Sequence, residues 1–120
     1  MPLKDKLNGI IAHVDGALAA SVMAYDGIAI DEVIASDTGF DLQLLAVEYS
    51  SVLKDIRRTV EVVKAGVMEE AVITTSSLTI IMRVLNEDLF VVLIMDRDGN
   101  FGKGRYMLRL KSFELLRALV

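Results

Sequence analysis

Three polar residues in the last third of the chain have the spacing of a calcium-binding loop. Asp96, Asp98 and Asn100 occupy the first, third and fifth places of an EF-hand loop, where oxygen ligands are required. The sixth place of such a loop needs glycine but holds Phe101, and the twelfth needs a bidentate glutamate but holds Met107. We therefore predict a turn leading into a helix, and we expect no metal or other cofactor.

The glycines beside this turn resemble a phosphate-binding loop only in composition. Gly99, Gly102 and Gly104 precede Arg105 and Tyr106, whereas a P-loop requires lysine followed by serine or threonine after its last glycine. A close approach of the backbone at the start of the last helix explains these glycines better than nucleotide binding does.

The remaining candidates for chemistry are isolated or solvated. His13 is the only histidine and has no obvious partners for a zinc site or a nucleophilic triad. The pairs Asp31-Glu32 and Glu69-Glu70 lie where strands are predicted to begin or end, which favours solvation over general acid-base catalysis. Since no convincing active site emerges, the sequence predicts that the protein is not an enzyme.

The composition indicates a small domain that associates with other chains. A length of 120 residues suits a single domain over 1–120, and 53% of the residues are hydrophobic. That fraction is high for a small monomer, which must cover much surface with polar groups. The net charge of −4 argues against nucleic-acid binding.

Membrane insertion and export are not expected either. The longest uninterrupted apolar run, Leu89 to Met95, is far shorter than the roughly 20 residues of a spanning helix. Polar residues such as Asp5 and Asn8 interrupt any signal-peptide core near the N-terminus. We therefore expect a cytoplasmic protein.

Hydrophobic periodicity predicts helix, two strands, long helix, three strands and helix. Asp26-Gly27 predicts a type I′ turn in the hairpin, and Thr38-Gly39 predicts a loop. The fold class expected is α+β, a three-layer α/β/α sandwich around a five-stranded antiparallel sheet. The predicted elements are a first helix ending before Gly16, strands Ala17 to Tyr25 and Ile28 to Ile34, the long helix Asp41 to Lys64, strands Glu70 to Thr75, Leu78 to Leu85 and Leu89 to Met95, and a last helix from Lys103.

The long helix carries apolar residues on two opposite sides. A surface helix normally presents polar residues to water, so a second apolar side predicts a second protein chain that covers it. Leu44, Val47 and Val62 lie on that second side. The side predicted to face the core comprises Leu42, Leu45, Tyr49, Leu53, Ile56, Val60 and Val63.

The last helix also has two apolar groups. Tyr106, Leu110 and Phe113 lie on one side, with Leu108, Leu115 and Leu119 on another. The segment from Phe101 onward is rich in cations, which we interpret as a solvated helix face.

Two motifs and the element order resemble the Roadblock/dynein light chain family. The motifs are VMAYDGIAID at 22–31 and GNFGKGRYMLR at 99–109. Within that family the chain is similar to MglB-type bacterial and archaeal regulators of Ras-like small GTPases, whose hairpin carries a similar Asp-Gly and whose last helix begins with a similar Asn-x-Gly-x-x-Arg. The positions that match these structural motifs are Asp26, Gly27, Asn100, Gly102 and Arg105.

The resemblance implies a homodimer with the long helices side by side and the third strand paired with its copy. It also implies that a GTPase docks on the paired long helices, and that the regulator adjusts the GTPase switch loops without supplying catalytic groups. The interface residues expected from the resemblance and from the two-sided helix are Leu44, Val47, Ser51, Lys54, Arg58 and Val62 on the helix, and Val72 and Thr74 on the strand.

The function we expect is that of a non-catalytic homodimeric regulator that modulates the nucleotide cycle of a small Ras-like GTPase. One alternative is a dimeric scaffold or adaptor without kinetic effect. A less favoured alternative is a small-molecule-sensing domain with a pocket between the sheet and the terminal helices, because three-layer layouts recur in ligand-binding domains.

Overall fold

A computed structural model describes residues 2–35 and 39–119 of the chain. Thr38, part of a predicted loop, lies outside these residues. The element order within them is α-β-β-α-β-β-β-α, which confirms the prediction. The elements are α1 (Leu3–His13), β1 (Ala17–Ala24), β2 (Ala29–Ile34), α2 (Leu42–Val62), β3 (Glu70–Thr74), β4 (Leu78–Val84), β5 (Leu89–Asp96) and α3 (Phe101–Ala118).

The five strands form one antiparallel sheet in the order β2-β1-β5-β4-β3. Strand β5 lies at the centre, and its side chains alternate between two apolar cores. Phe90, Val92 and Ile94 pack in the core under α2, whereas Val91, Leu93 and Met95 pack in the core with α1 and α3. Because both faces of the sheet are apolar, each needs helices to cover it. The three-layer sandwich is therefore confirmed.

A contact between two turns sets the position of α3. Gly16 has φ +86°, and a Cβ there would lie 2.5 Å from the Cα of Gly99. The amide of Asp96 donates to the carbonyl of Gly16 at 2.8 Å, and the amide of Asn100 donates to the carbonyl of Asp15 at 2.9 Å. The turn before α3 is thus bonded to the turn before β1.

Helix α3 begins at Phe101, two residues earlier than predicted. The side chain of Asn100 accepts a hydrogen bond from the amide of Lys103 at 3.1 Å, and this cap satisfies a donor in the first turn. The helix therefore contains Gly102 as well as Gly104, which already lay within the predicted helix.

The hairpin turn between β1 and β2 differs from the predicted type I′ turn. Gly27 has φ +91°, but Asp26 does not have positive φ. The amide of Gly27 donates to the carbonyl of Ala24 at 3.0 Å, and the amide of Ala24 donates to the carbonyl of Ile28 at 2.9 Å. This is a type I turn followed by a left-handed glycine. It needs positive φ only where glycine is present, so it avoids the steric cost at aspartate.

Candidate protein-interaction site

Helix α2 has a strong start and a narrow buried side. Asp41 caps it by accepting from the amide of Leu44 at 3.0 Å. The residues of α2 that are buried are Ala46, Ser50 and Leu53. Two of these three side chains are small, which allows the helix to lie close to the sheet.

The side of α2 that points away from the sheet has exposed apolar residues in its first two turns and in its last turn. Leu44, Val47 and Val62 are 56%, 42% and 73% exposed. Ser51, Lys54 and Arg58 are also exposed and fall on the same side at helical spacing. We call these six residues the outer α2 stripe.

Two residues assigned to the core side of α2 are not in the core. Ile56 and Val63 are both exposed, and the prediction for them was wrong. The sheet contacts the side centred on Ala46, Ser50 and Leu53, so residues at the margin of the predicted apolar arc lie beyond its reach. Together with exposed Val52 they widen the apolar surface of α2.

Strand β3 is an open edge of the sheet, because β4 is the one strand that pairs with it among the residues that the structure describes. The amide of Val84 donates to the carbonyl of Glu69, and the amide of Thr75 donates to the carbonyl of Leu78. In an antiparallel pair, bonded and non-bonded positions alternate. The backbone groups of Val72 and Thr74 therefore point away from β4, where another strand can pair with them.

The charges around the outer α2 stripe are of both signs. Arg58 forms an ion pair with Asp55 at 3.8 Å, and Arg57 forms one with Glu61 at 3.5 Å. Glu48 and Lys54 are also exposed. Ion pairs this exposed contribute little to stability. The presence of both positive and negative side chains nevertheless affects which partner surface can pack against α2.

The hairpin tip that holds Asp26 and Gly27 rests on α2. The ring of Tyr25 lies 5.0 Å from that of Phe90 and 4.9 Å from the guanidinium of Arg57. Burial raises the pKa of Tyr25, and the nearby positive charge of Arg57 opposes that shift. The Tyr25 hydroxyl is buried and has no hydrogen-bond partner among the described residues.

Arg105 connects α3 to the open strand β3. Its Nε donates to Oε1 of Glu70 at 2.6 Å, and Nη1 of Arg83 donates to Oε2 of the same carboxylate at 3.4 Å. The carboxylate raises the pKa of Arg105. The interpretation of Glu70 as a solvated residue was therefore wrong, since its side chain is mostly buried between two arginines.

The glycine of close approach in α3 is Gly104. A Cβ there would lie 2.8 Å from the Sδ of Met95 and 3.2 Å from the Cδ1 of Ile81. A Cβ at Gly102 would meet only the side chain of Asn100, at 3.9 Å. Sequence spacing alone did not distinguish these two glycines, because burial depends on how α3 lies on the sheet.

Two open clefts lie beside these surfaces. One, of about 600 Å³, is lined by charged groups including Arg83, Arg105 and Arg109. The other, of about 480 Å³, lies between the hairpin tip and the first turns of α2. Across residues 2–35 and 39–119, no cluster of acidic or histidine side chains is arranged to hold a metal. No helix in that part of the chain is long and apolar enough to cross a membrane.

Known structures contain this arrangement. No family model and no curated protein matches the chain. MglC from Myxococcus xanthus is 36% identical over 100% of both chains, with a TM-score of 0.71. MglB from Thermus thermophilus is 17% identical over 97% of this chain and 87% of its own, with a TM-score of 0.85. A Roadblock/LC7 domain from Streptomyces avermitilis is 13% identical over 99% of this chain and 98% of its own, also with a TM-score of 0.85.

The last two likenesses concern the fold, whereas the first extends to the sequence along the whole chain. The chain belongs to the Roadblock/LC7 family and has an MglB-like fold.

Proposed function

We propose that this chain forms a homodimer through the outer α2 stripe and the β3 edge, and that the dimer regulates a small Ras-like GTPase. The observation that carries the proposal is that three exposed apolar residues, Leu44, Val47 and Val62, lie on the side of α2 facing away from its own core. An apolar surface of this kind on a small domain marks a protein-protein contact.

A second copy of the chain suits the outer α2 stripe because the surface is self-complementary. In a two-fold contact, when residue i of one copy contacts residue j of the other, residue j of the first copy also contacts residue i of the second. Two α2 helices that cross antiparallel at Ser51 bring Lys54 of each copy to Glu48 of the other. The small Ser51 side chain permits a close crossing there.

The β3 edge supplies a second part of the same interface. Val72 and Thr74 have outward backbone groups that can pair with the same strand of another copy. Such pairing removes an open edge that otherwise favours aggregation. Helix contact and strand pairing together are expected to give a stable dimer rather than a transient one.

The GTPase is proposed from the family relationship together with the surface. The chain resembles MglB-type regulators in its hairpin and α3 motifs, and a related fold is that of an MglB with tetrameric arrangement. In the proposed mechanism the dimer binds one arrangement of the GTPase switch loops more tightly than another. It then changes hydrolysis or exchange only as far as that difference in affinity allows.

The test combines assembly with nucleotide kinetics. Sedimentation at micromolar concentration is expected to give twice the subunit mass of 13.2 kDa. Turnover and nucleotide release are then measured for a purified Ras-like GTPase from the same organism, with and without saturating dimer. A folded lone subunit contradicts the dimer. Binding to the GTPase without a change in either rate contradicts the regulatory role and supports a scaffold.

A further inference from the structure

The outward side of α3 is a second apolar surface, on the opposite face of the sheet from α2. Tyr106, Leu110 and Phe113 are 55%, 52% and 67% exposed. They recur at i, i+4 and i+7, so they form one stripe over two helical turns. The residues of α3 that are buried in the core are Gly104, Met107, Leu108 and Leu115. We call the exposed stripe the outer α3 stripe.

Cations flank the outer α3 stripe. Lys103, Arg109 and Arg117 have no ion-pair partner among the described residues. The Nζ of Lys103 lies 5.8 Å from the centre of the Tyr106 ring, and the guanidinium of Arg117 lies 5.8 Å from the centre of the Phe113 ring. These charges therefore border the apolar side chains directly.

The one acidic residue of α3 does not neutralise these cations. Glu114 lies 3.4 Å from the Nζ of Lys111 and 4.0 Å from the Nζ of Lys6 on α1. Its charge is thus shared with lysines outside the outer α3 stripe. The surface is apolar along its centre, and the unpaired charges at its borders are positive, although the chain as a whole carries a net charge of −4.

We propose that the outer α3 stripe is the docking site for an amphipathic helix of a different protein, with apolar side chains at i, i+4 and i+7 and acidic residues on both flanks. The stripe runs for roughly 10 Å along α3, the length over which such a helix presents three anchors. Acidic flanks satisfy the free cations, and the apolar anchors cover the two aromatic rings and Leu110.

Charge makes this occupant more favourable than a second copy or a membrane. Two copies that meet through this face bring cations against cations, which costs free energy at an interface. A lipid surface favours a longer apolar face with a basic border, and the net negative charge of the chain is repelled by anionic headgroups. The face also stays open in the proposed α2-mediated dimer, so both partners can bind together.

The test uses a synthetic helical peptide of about 16 residues with three leucines at i, i+4 and i+7 and glutamates on either flank. We expect it to bind the full chain and to shift backbone amide NMR signals of α3. Leu110→Glu is expected to weaken binding by about tenfold or more, and binding should weaken as salt is added.

Leu44→Glu is the matched control, because it makes the same change on α2. It should leave peptide binding unchanged even if the dimer is lost. The experiment therefore distinguishes a failure of the proposed peptide site from a failure of the proposed dimer. The inference is overturned if the peptide does not bind, or if a lysine-flanked version binds equally well. Tighter binding to phosphatidylcholine vesicles with about a third phosphatidylserine also overturns it, in favour of a membrane.

Discussion

The outward sides of α2 and α3 are both apolar, but their charges differ. Lys54 and Arg58 on α2 are accompanied by exposed Glu48 and Asp55, whereas the free charges bordering the outer α3 stripe are cations. A surface with both signs can pack against a copy of itself in a two-fold contact, whereas a surface with one sign repels its copy. The apolar side chains thus support the proposal of a partner at each helix, and the surrounding charges support a different kind of partner for each.

The two helices differ also in what lies beside them. The sheet that α2 covers ends at the open strand β3, whose outward backbone groups can pair with another strand. On the other face of the sheet, the residue of α3 that bonds to β3 is Arg105, which contacts Glu70. Arg105 does not belong to the outer α3 stripe. This second difference again favours the α2 side for the proposed self-association.

The largest expected effect is loss of the dimer in Leu44→Glu. Glutamate at this position, three residues after the cap Asp41, favours the helix, so any loss reflects the interface. Burying an unpaired charge costs several kcal/mol, and about 3 kcal/mol weakens the dimer roughly a hundredfold. Sedimentation equilibrium measures the change. Leu110→Glu makes the same change on α3 and should remain dimeric; if the two variants behave alike, the comparison fails.

A proline in β3 tests the strand half of the interface. The amide of Val72 points away from β4, so Val72→Pro removes a donor that only a partner strand uses. We expect a dimer weaker by about 1 kcal/mol, with little change in the free energy of unfolding at low protein concentration. Ile73→Pro removes a donor to β4 and should lower that free energy by about 2 kcal/mol or more. Equal effects of the two prolines on unfolding contradict the proposed direction of the Val72 amide.

Removing the cap of α2 or of α3 also distinguishes the two surfaces, with a smaller expected change in free energy. Asp41→Ala and Asn100→Ala should each lower the free energy of unfolding by about 1 kcal/mol, because each removes one cap hydrogen bond. Only Asp41→Ala should also weaken the dimer, since Leu44 lies in the first turn of α2. Asp41→Asn and Asn100→Asp keep a cap and serve as controls in chemical denaturation monitored by circular dichroism. A dimer weakened equally by both alanine variants counts against self-association through α2.

The smallest expected effect belongs to Tyr25 at the hairpin tip on α2. Its hydroxyl is buried without a partner among the described residues, so Tyr25→Phe should leave stability unchanged or raise it by about 0.5 kcal/mol. Burial holds the folded pKa above the ordinary value of 10.0. The unfolded chain therefore loses this proton first, so the contribution of Tyr25 to stability should be constant below pH 10.0 and fall as pH rises through the folded pKa.

Phenylalanine at position 25 should reduce that alkaline loss, measured by urea unfolding at several pH values. Tyr106→Phe, on the exposed side of α3, is the control for stability at neutral pH, because its hydroxyl lies on a side chain open to water. If Tyr25→Phe is strongly destabilising, the hydroxyl has a partner and the account of the hairpin tip is wrong.

Local patterns predicted most of the architecture because they report directly on local physics. The strands were recognisable from short apolar runs between turn residues, and α2 from Asp41 and its helical periodicity. The start of α3 was placed two residues late, since Asn100 was assigned to the preceding turn and was not recognised as the cap of the helix. The predicted hairpin was correct as a hairpin, but the choice between turn types depended on the backbone angle of Asp26.

By itself, the amino-acid sequence determined the element order and the two apolar sides of α2 and of α3, because periodicity follows from helix and strand geometry alone. Only the tertiary structure decided which residues those sides expose. It moved Ile56 and Val63 out of the core, enclosed Glu70 between Arg83 and Arg105, and made Gly104 rather than Gly102 the close contact. These outcomes depend on how each helix is rotated and seated on the sheet, which is set by packing between residues distant in the chain.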